Sequence, residues 1–101
     1  MIVYNVTIKV NPDIQKEWLV WMKEVHIPNV MKTGIFVEYR VTKVLDLDET
    51  DGVTFAVQYL CNTITEYEAY RDQFAPALQQ EHTEKYGDRF VAFRTLLEVV
   101  G

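Results

Sequence analysis

The chain predicts an α+β fold in which one four-stranded antiparallel sheet carries two helices on a single face, in the order βαββαβ. Three observations predict it. Four stretches alternate apolar and polar residues and are rich in β-branched and aromatic side chains. Two intervening stretches instead repeat apolar residues at the period of an amphipathic helix. The halves also echo one another, "FVEYR" at 36–40 against "FVAFR" at 90–94, each behind a helical stretch that ends in glycine. That pseudo-symmetry belongs to the ferredoxin-like split βαβ arrangement.

Each element has its own signals. "IVYNVTIKV" (2–10) alternates and reads as the first strand. Asn11 suits an N-cap, Pro12 the first helical position and Asp13 the positive end of the helix that follows. Ile14, Trp18, Trp21, Met22 and Val25 form its apolar stripe. Pro28 lacks an N–H and disfavours helical backbone at Ile27, so this helix is expected to end near His26, with a short further turn closed by Gly34. "IFVEYRVTKVL" (35–45) and "VTFAVQYLC" (53–61) read as a hairpin around the polar turn "DLDETDG". Thr63 and Glu66 match a capping box at the start of the second helix, whose stripe runs through Tyr67, Tyr70, Phe74, Ala77 and Leu78. Pro76 is expected to kink or break it, and Gly87 to end it. "RFVAFRTLLEVV" (89–100) is the last strand, giving a single ferredoxin-like domain over residues 1–101.

Composition narrows the function classes. A net charge of −5, without any long Lys/Arg run, argues against a nucleic-acid or anionic-membrane surface. The longest apolar run, "WLVWM", is too short to span a bilayer, and the N-terminal stretch lacks the pattern of a signal peptide. One cysteine, Cys61, permits no intrachain disulfide and no cysteine zinc site, so a cytoplasmic location is expected.

Alternation sorts the strands onto two faces. The helix-covered face is expected to take Tyr4, Val6, Ile8, Val37, Tyr39, Val41, Phe55, Val57, Tyr59, Val91, Phe93 and Leu97. The other takes Val3, Asn5, Thr7, Phe36, Glu38, Arg40, Ala56, Gln58, Leu60, Phe90, Arg94 and Leu96. Two helices cover one face only, so the second would expose an apolar patch that a monomer rarely tolerates. A homodimer packed sheet to sheet is therefore expected, with Asn5, Glu38, Arg40, Gln58 and Arg94 pairing in the lumen between the sheets.

The stretches "WMKEVHIPNVMKTGIFVEYR" and "FAPALQQEH…YGDRFVAFRTLLEVV" resemble a small bacterial family of uncharacterised domains in the dimeric α+β barrel superfamily, over essentially the whole chain. The resemblance implies that fold and dimerisation, and it carries no established activity. More distant barrel relatives include antibiotic-biosynthesis-type and haem-degrading monooxygenases, decarboxylases and isomerases, a kinship of fold alone.

Two sites are candidates. The first lies between helices and sheet, where a pocket for a small apolar or aromatic ligand would be lined by Tyr4, Trp18, Trp21, Met22, Tyr59 and Phe93. His26, His82 and Tyr39 are its candidate catalytic groups. His26 either satisfies the helix carbonyls near Pro28 or acts as a general acid/base or haem ligand at the pocket mouth. Some haem-degrading relatives ligate iron through a histidine of the second helix, so the resemblance implies His82 as the haem alternative; otherwise no cofactor is expected. The phenols of Tyr4, Tyr39 and Tyr59 either bond to backbone, water or the histidines, or serve as polar points for a ligand. An enzyme on this site would be a cofactor-independent monooxygenase or isomerase. The second candidate is the lumen, where Arg40 and Arg94 either bind an anion or pair with Glu38, Glu98 and the partner's acids. No metal site is expected, because "DLDETDG" fails the calcium-loop pattern with Asp51 where glycine is needed and Val57 at the twelfth position. No glycine-rich phosphate loop is present.

Overall fold

The computed structural model describes residues 1–101 and contains four strands: β1 (Ile2–Val10), β2 (Glu38–Lys43), β3 (Val53–Cys61) and β4 (Phe90–Glu98). They pair antiparallel in the order β2-β3-β1-β4, the ferredoxin-like topology. The helical layer comprises α1 (Gln15–Trp21), α2 (Ile27–Met31), α3 (Ile64–Gln73) and α4 (Ala75–Tyr86). No helix is long and apolar enough to cross a membrane.

The starts of the helices follow the local chemistry. The Asn11 side chain accepts from the Asp13 N–H, and a tight turn over Pro12–Ile14 leads into α1. The Thr63 hydroxyl accepts from the Glu66 N–H at 3.2 Å and bonds the Glu66 carboxylate at 3.1 Å, capping α3. Gly52 is needed where β3 begins, because a Cβ there would stand 2.8 Å from the Val10 carbonyl oxygen.

Both prolines behave differently from a simple stop. The first helix does not end at His26. Met22–His26 widen into a π turn, in which the Ile27 N–H bonds the Met22 carbonyl five residues back. Pro28 then falls in the first turn of α2, where its missing donor costs little. Pro76 likewise occupies the first turn of α4, after a break at Phe74 where φ is −123°.

The core lies between sheet and helices, with Ile8, Val10, Ile14, Trp18, Ile27 and Cys61 at 0–1% exposure. On β4 the faces are the reverse of those expected. Val10 pairs with Phe90, Ile8 with Ala92, Val6 with Arg94 and Tyr4 with Leu96, and those β1 residues face the helices. Arg94 therefore leaves the lumen for the helical side, together with Phe90 and Leu96. Phe93 leaves the pocket for the open side, with Val91 and Leu97, and is 65% exposed. Both rows of β4 are largely apolar, so alternation alone contains no polarity to orient them; pairing with β1 does.

Residues at the start of β2 also depart from the expected burial, Val37 among them at 55% exposure. Phe36 precedes β2 in irregular backbone and is 4% exposed, its ring tilted against that of Tyr59 with 5.2 Å between centroids. That irregular stretch resets the alternation, so Glu38, Arg40 and Thr42 still face outward opposite Leu60, Gln58 and Ala56. Tyr39, expected beneath the helices, sits on the edge strand β2 and is about half exposed.

Candidate functional site

Helix-facing residues of β1, β3 and β4 meet α4 and the π turn around a narrow slot of about 30 Å³. Its polar lining consists of Tyr4, Tyr59, Tyr70, His26, His82, Gln79 and Arg94, set among apolar side chains that include Met22, Val30 and Leu78. A space of this size has room for about one water molecule.

His82 projects from α4 and is 5% exposed. Trp18, rooted in α1, donates its indole N–H to His82 Nε2 at 2.9 Å. Phe90 lies flat on the imidazole, 3.8 Å between centroids with 2° between planes, and Trp21 tilts over it at 5.5 Å. Burial, with the charges of His26 and Arg94, pushes its pKa down to about 3, so the ring is neutral at neutral pH. His26 sits on the π turn, 9% exposed, with Nδ1 3.3 Å from the Glu81 carboxylate. Asn29 also donates to Glu81, tying α2 to α4 through the same carboxylate. Burial lowers the His26 pKa, and the Glu81 hydrogen bond and charge offset only part of that effect.

The phenol cluster lies beside the histidines. Tyr4 packs against Phe36, Tyr59, Tyr67 and Tyr70 within 6.1 Å between centroids. Burial raises the pKa of Tyr59 and Tyr70, which stay protonated. Arg94 stands at the mouth and donates Nε–H to the Tyr4 hydroxyl at 3.2 Å. No carboxylate pairs with it.

The expected pocket residues are thus divided. Tyr4, Met22, Tyr59, His26 and His82 line the slot; Trp18 and Trp21 support the histidines from behind and above. Phe93 and Tyr39 do not line it. Glu81, Arg94, Tyr70 and Phe90 complete the site without having been assigned to it from the sequence. The adjacent Glu81–His82 pair was a signal, although the carboxylate serves His26 rather than its neighbour.

The open face holds a separate cavity of about 310 Å³ whose lining includes Val3, Glu38, Tyr39, Arg40, Gln58 and Leu60. Strand register sets Arg40, Gln58, Asn5 and Thr95 in one polar row across the sheet. Asn5 donates to the Thr7 hydroxyl at 3.0 Å, while its buried Oδ1 has no partner.

Comparison with known proteins sets this geometry in a family. An MhuD variant crystallised with two manganese protoporphyrin IX molecules per active site superposes with a TM-score of 0.72 at 15% identity, covering 99% of this chain and 95% of that one. A member of the ethyl tert-butyl ether d (ethd) family from Bacillus halodurans gives 0.69 at 15% identity, covering 99% and 100%. A dimeric ferredoxin-like protein from an uncultured marine organism gives 0.65 at 14% identity, covering 99% and 95%. Identities this low demonstrate the shared fold and nothing finer. No curated protein matches the sequence. A family model matches residues 1–100, and the chain belongs to that family, described as a domain of unknown function (DUF4286).

Proposed function

We propose that the protein is a homodimer that binds a small apolar or aromatic molecule in the slot between helices and sheet, with His26 as proton acceptor. One observation carries this reading: His26, set by Glu81, and Arg94, set on Tyr4 without an acid partner, converge on one apolar space. Burial favours the neutral imidazole, leaving His26 Nε2 a free lone pair. The Arg94 guanidinium, a donor without an acid partner, favours a polarised ligand oxygen such as a carbonyl. A ligand enters by swinging out Leu78, Gln79 and Arg94, wall residues that are not fully buried. The alternative is a cofactor-independent enzyme of monooxygenase or isomerase type, in which His26 removes a proton and Arg94 holds the oxygen left behind.

The homodimer is supported by the uncovered row Val91, Phe93 and Leu97 and by the neighbour described as dimeric. A cytoplasmic setting is supported by the single unpaired Cys61. Haem binding is supported only by the porphyrin-bearing neighbour. The residues do not fit it in this arrangement: His82 Nε2 is occupied by Trp18, its ring is covered by Phe90, and the slot is far smaller than a porphyrin.

A thermal-shift screen of small aromatics tests the ligand site. Binding should raise the Tm of the native chain but not of a slot-filled Leu78→Trp variant, and equal stabilisation of both would remove the reading. Sedimentation should give a dimer at micromolar concentration; a monomer removes the pairing. If the chain is an enzyme, His26→Ala should lose turnover while retaining ligand.

A further inference from the structure

His26 and His82 are 5.4 Å apart between ring centroids, and each has one nitrogen committed to the protein. An indole N–H can only donate, so His82 Nε2 is the bare nitrogen and the proton of the neutral ring sits on Nδ1. A carboxylate accepts, so His26 Nδ1 carries its proton towards Glu81 and Nε2 is bare. The remaining nitrogens have no protein partner, and both rings line the slot. One is an N–H donor, the other a lone-pair acceptor. Phe90 on one ring and Trp21 stacked at 5.2 Å on the other restrict reorientation, and flipping His82 would cost the Trp18 bond.

We infer that the two histidines form an oriented donor–acceptor pair, and that the slot selects a neutral group with an N–H or O–H adjacent to a carbonyl oxygen, such as a lactam, amide or enol. The ligand's N–H or O–H meets His26 Nε2, and its carbonyl meets His82 Nδ1–H. A single water meets the same demands, donating to His26 and accepting from His82, and the slot has room for one. The ligand replaces that water and reproduces its bonds. A carboxylate anion meets the His26 lone pair unfavourably, and a hydrocarbon leaves both nitrogens unpaired. This inference rests on the ligand slot proposed above and specifies the class of molecule it takes.

Long-range ¹H–¹⁵N NMR of the imidazoles reads the premise directly. At neutral pH both rings should show a protonated Nδ1 and a bare Nε2; a protonated Nε2 on either ring overturns the inference. Titration with 2-pyridone, N-methyl-2-pyridone and toluene then tests selection. 2-Pyridone should shift both free nitrogens and bind at least about tenfold more tightly than its N-methyl form, which lacks the donor. Trp18→Phe frees His82 Nε2 and should weaken both pyridones alike, because both use the carbonyl that meets His82 Nδ1–H, whereas Glu81→Leu frees His26 Nδ1 and should reduce the preference for the N–H form. Toluene or both pyridones binding without preference overturns the polarity but leaves the ligand slot standing. Failure of all three probes to bind overturns both.

Discussion

The two faces of the sheet solve the same problem in opposite ways. On the helical face, Tyr4, Val6, Ile8 and Val10 are covered by their own chain, and the polar groups beside them are paired or held neutral. On the open face, Val91, Phe93 and Leu97 are 43–65% exposed around a polar row whose Asn5 oxygen lacks a partner. The first face has traded solvent for packing, so its histidines titrate abnormally. The second leaves its apolar surface uncovered by its own chain. The proposed ligand slot and the proposed dimer surface are thereby separated by one layer of backbone.

The contrast is broken most strongly by truncating the closed face. Trp18 is fully buried, so Trp18→Ala should cost about 3–5 kcal/mol in urea unfolding, whereas Phe93→Ala should change the stability of the separated subunit by only about 0.5 kcal/mol or less. Equal costs would mean that the two faces are not differently packed.

Acid should act on the same face. The folded pKa of His82 lies near 3, below its unfolded value of 6.5, so the unfolded chain binds the extra proton first. Its contribution to stability is complete above pH 6.5 and should be lost, by a few kcal/mol, as pH falls towards 3. His26, also lowered, adds in the same direction. Chemical unfolding of His82→Gln should show a flatter pH profile; an unchanged slope would contradict the burial argument.

On the open face, Phe93→Asp should weaken dimerisation by about 100-fold in sedimentation while leaving the imidazole NMR signals of His26 and His82 in place. Movement of those signals would show that the faces are coupled. A modest effect that tests neither face is expected for Thr63→Ala, which removes a helix cap and should cost about 1 kcal/mol in the same urea measurement.

Much of the fold is legible locally. The β1 and β3 boundaries, the Asn11 and Thr63 caps and the glycine ends follow from neighbouring residues, because capping and alternation are short-range effects. The site is legible only in part. Tyr4, Met22, Tyr59 and the two histidines stand on stripes that alternation and helical period reveal, and they arrive in the slot together. Glu81 reaches His26 across 55 positions of sequence, and Trp18 reaches His82 across 64, distances over which no local pattern carries information.

By itself, then, the sequence determined the order of elements, the existence of a one-sided helical layer and a second face with apolar residues that the helices leave uncovered. Tertiary structure decided which row of β4 points inward. Phe90 and Leu96 compete there with Val91, Phe93 and Leu97, rows of similar hydrophobicity, and only hydrogen-bond register with β1 breaks the tie. It also decided the helical path past Pro28, where a widened turn places the proline at a helix start and aims His26 at Glu81. Both outcomes depend on pairing between residues far apart in the chain, which is why packing rather than periodicity settled them.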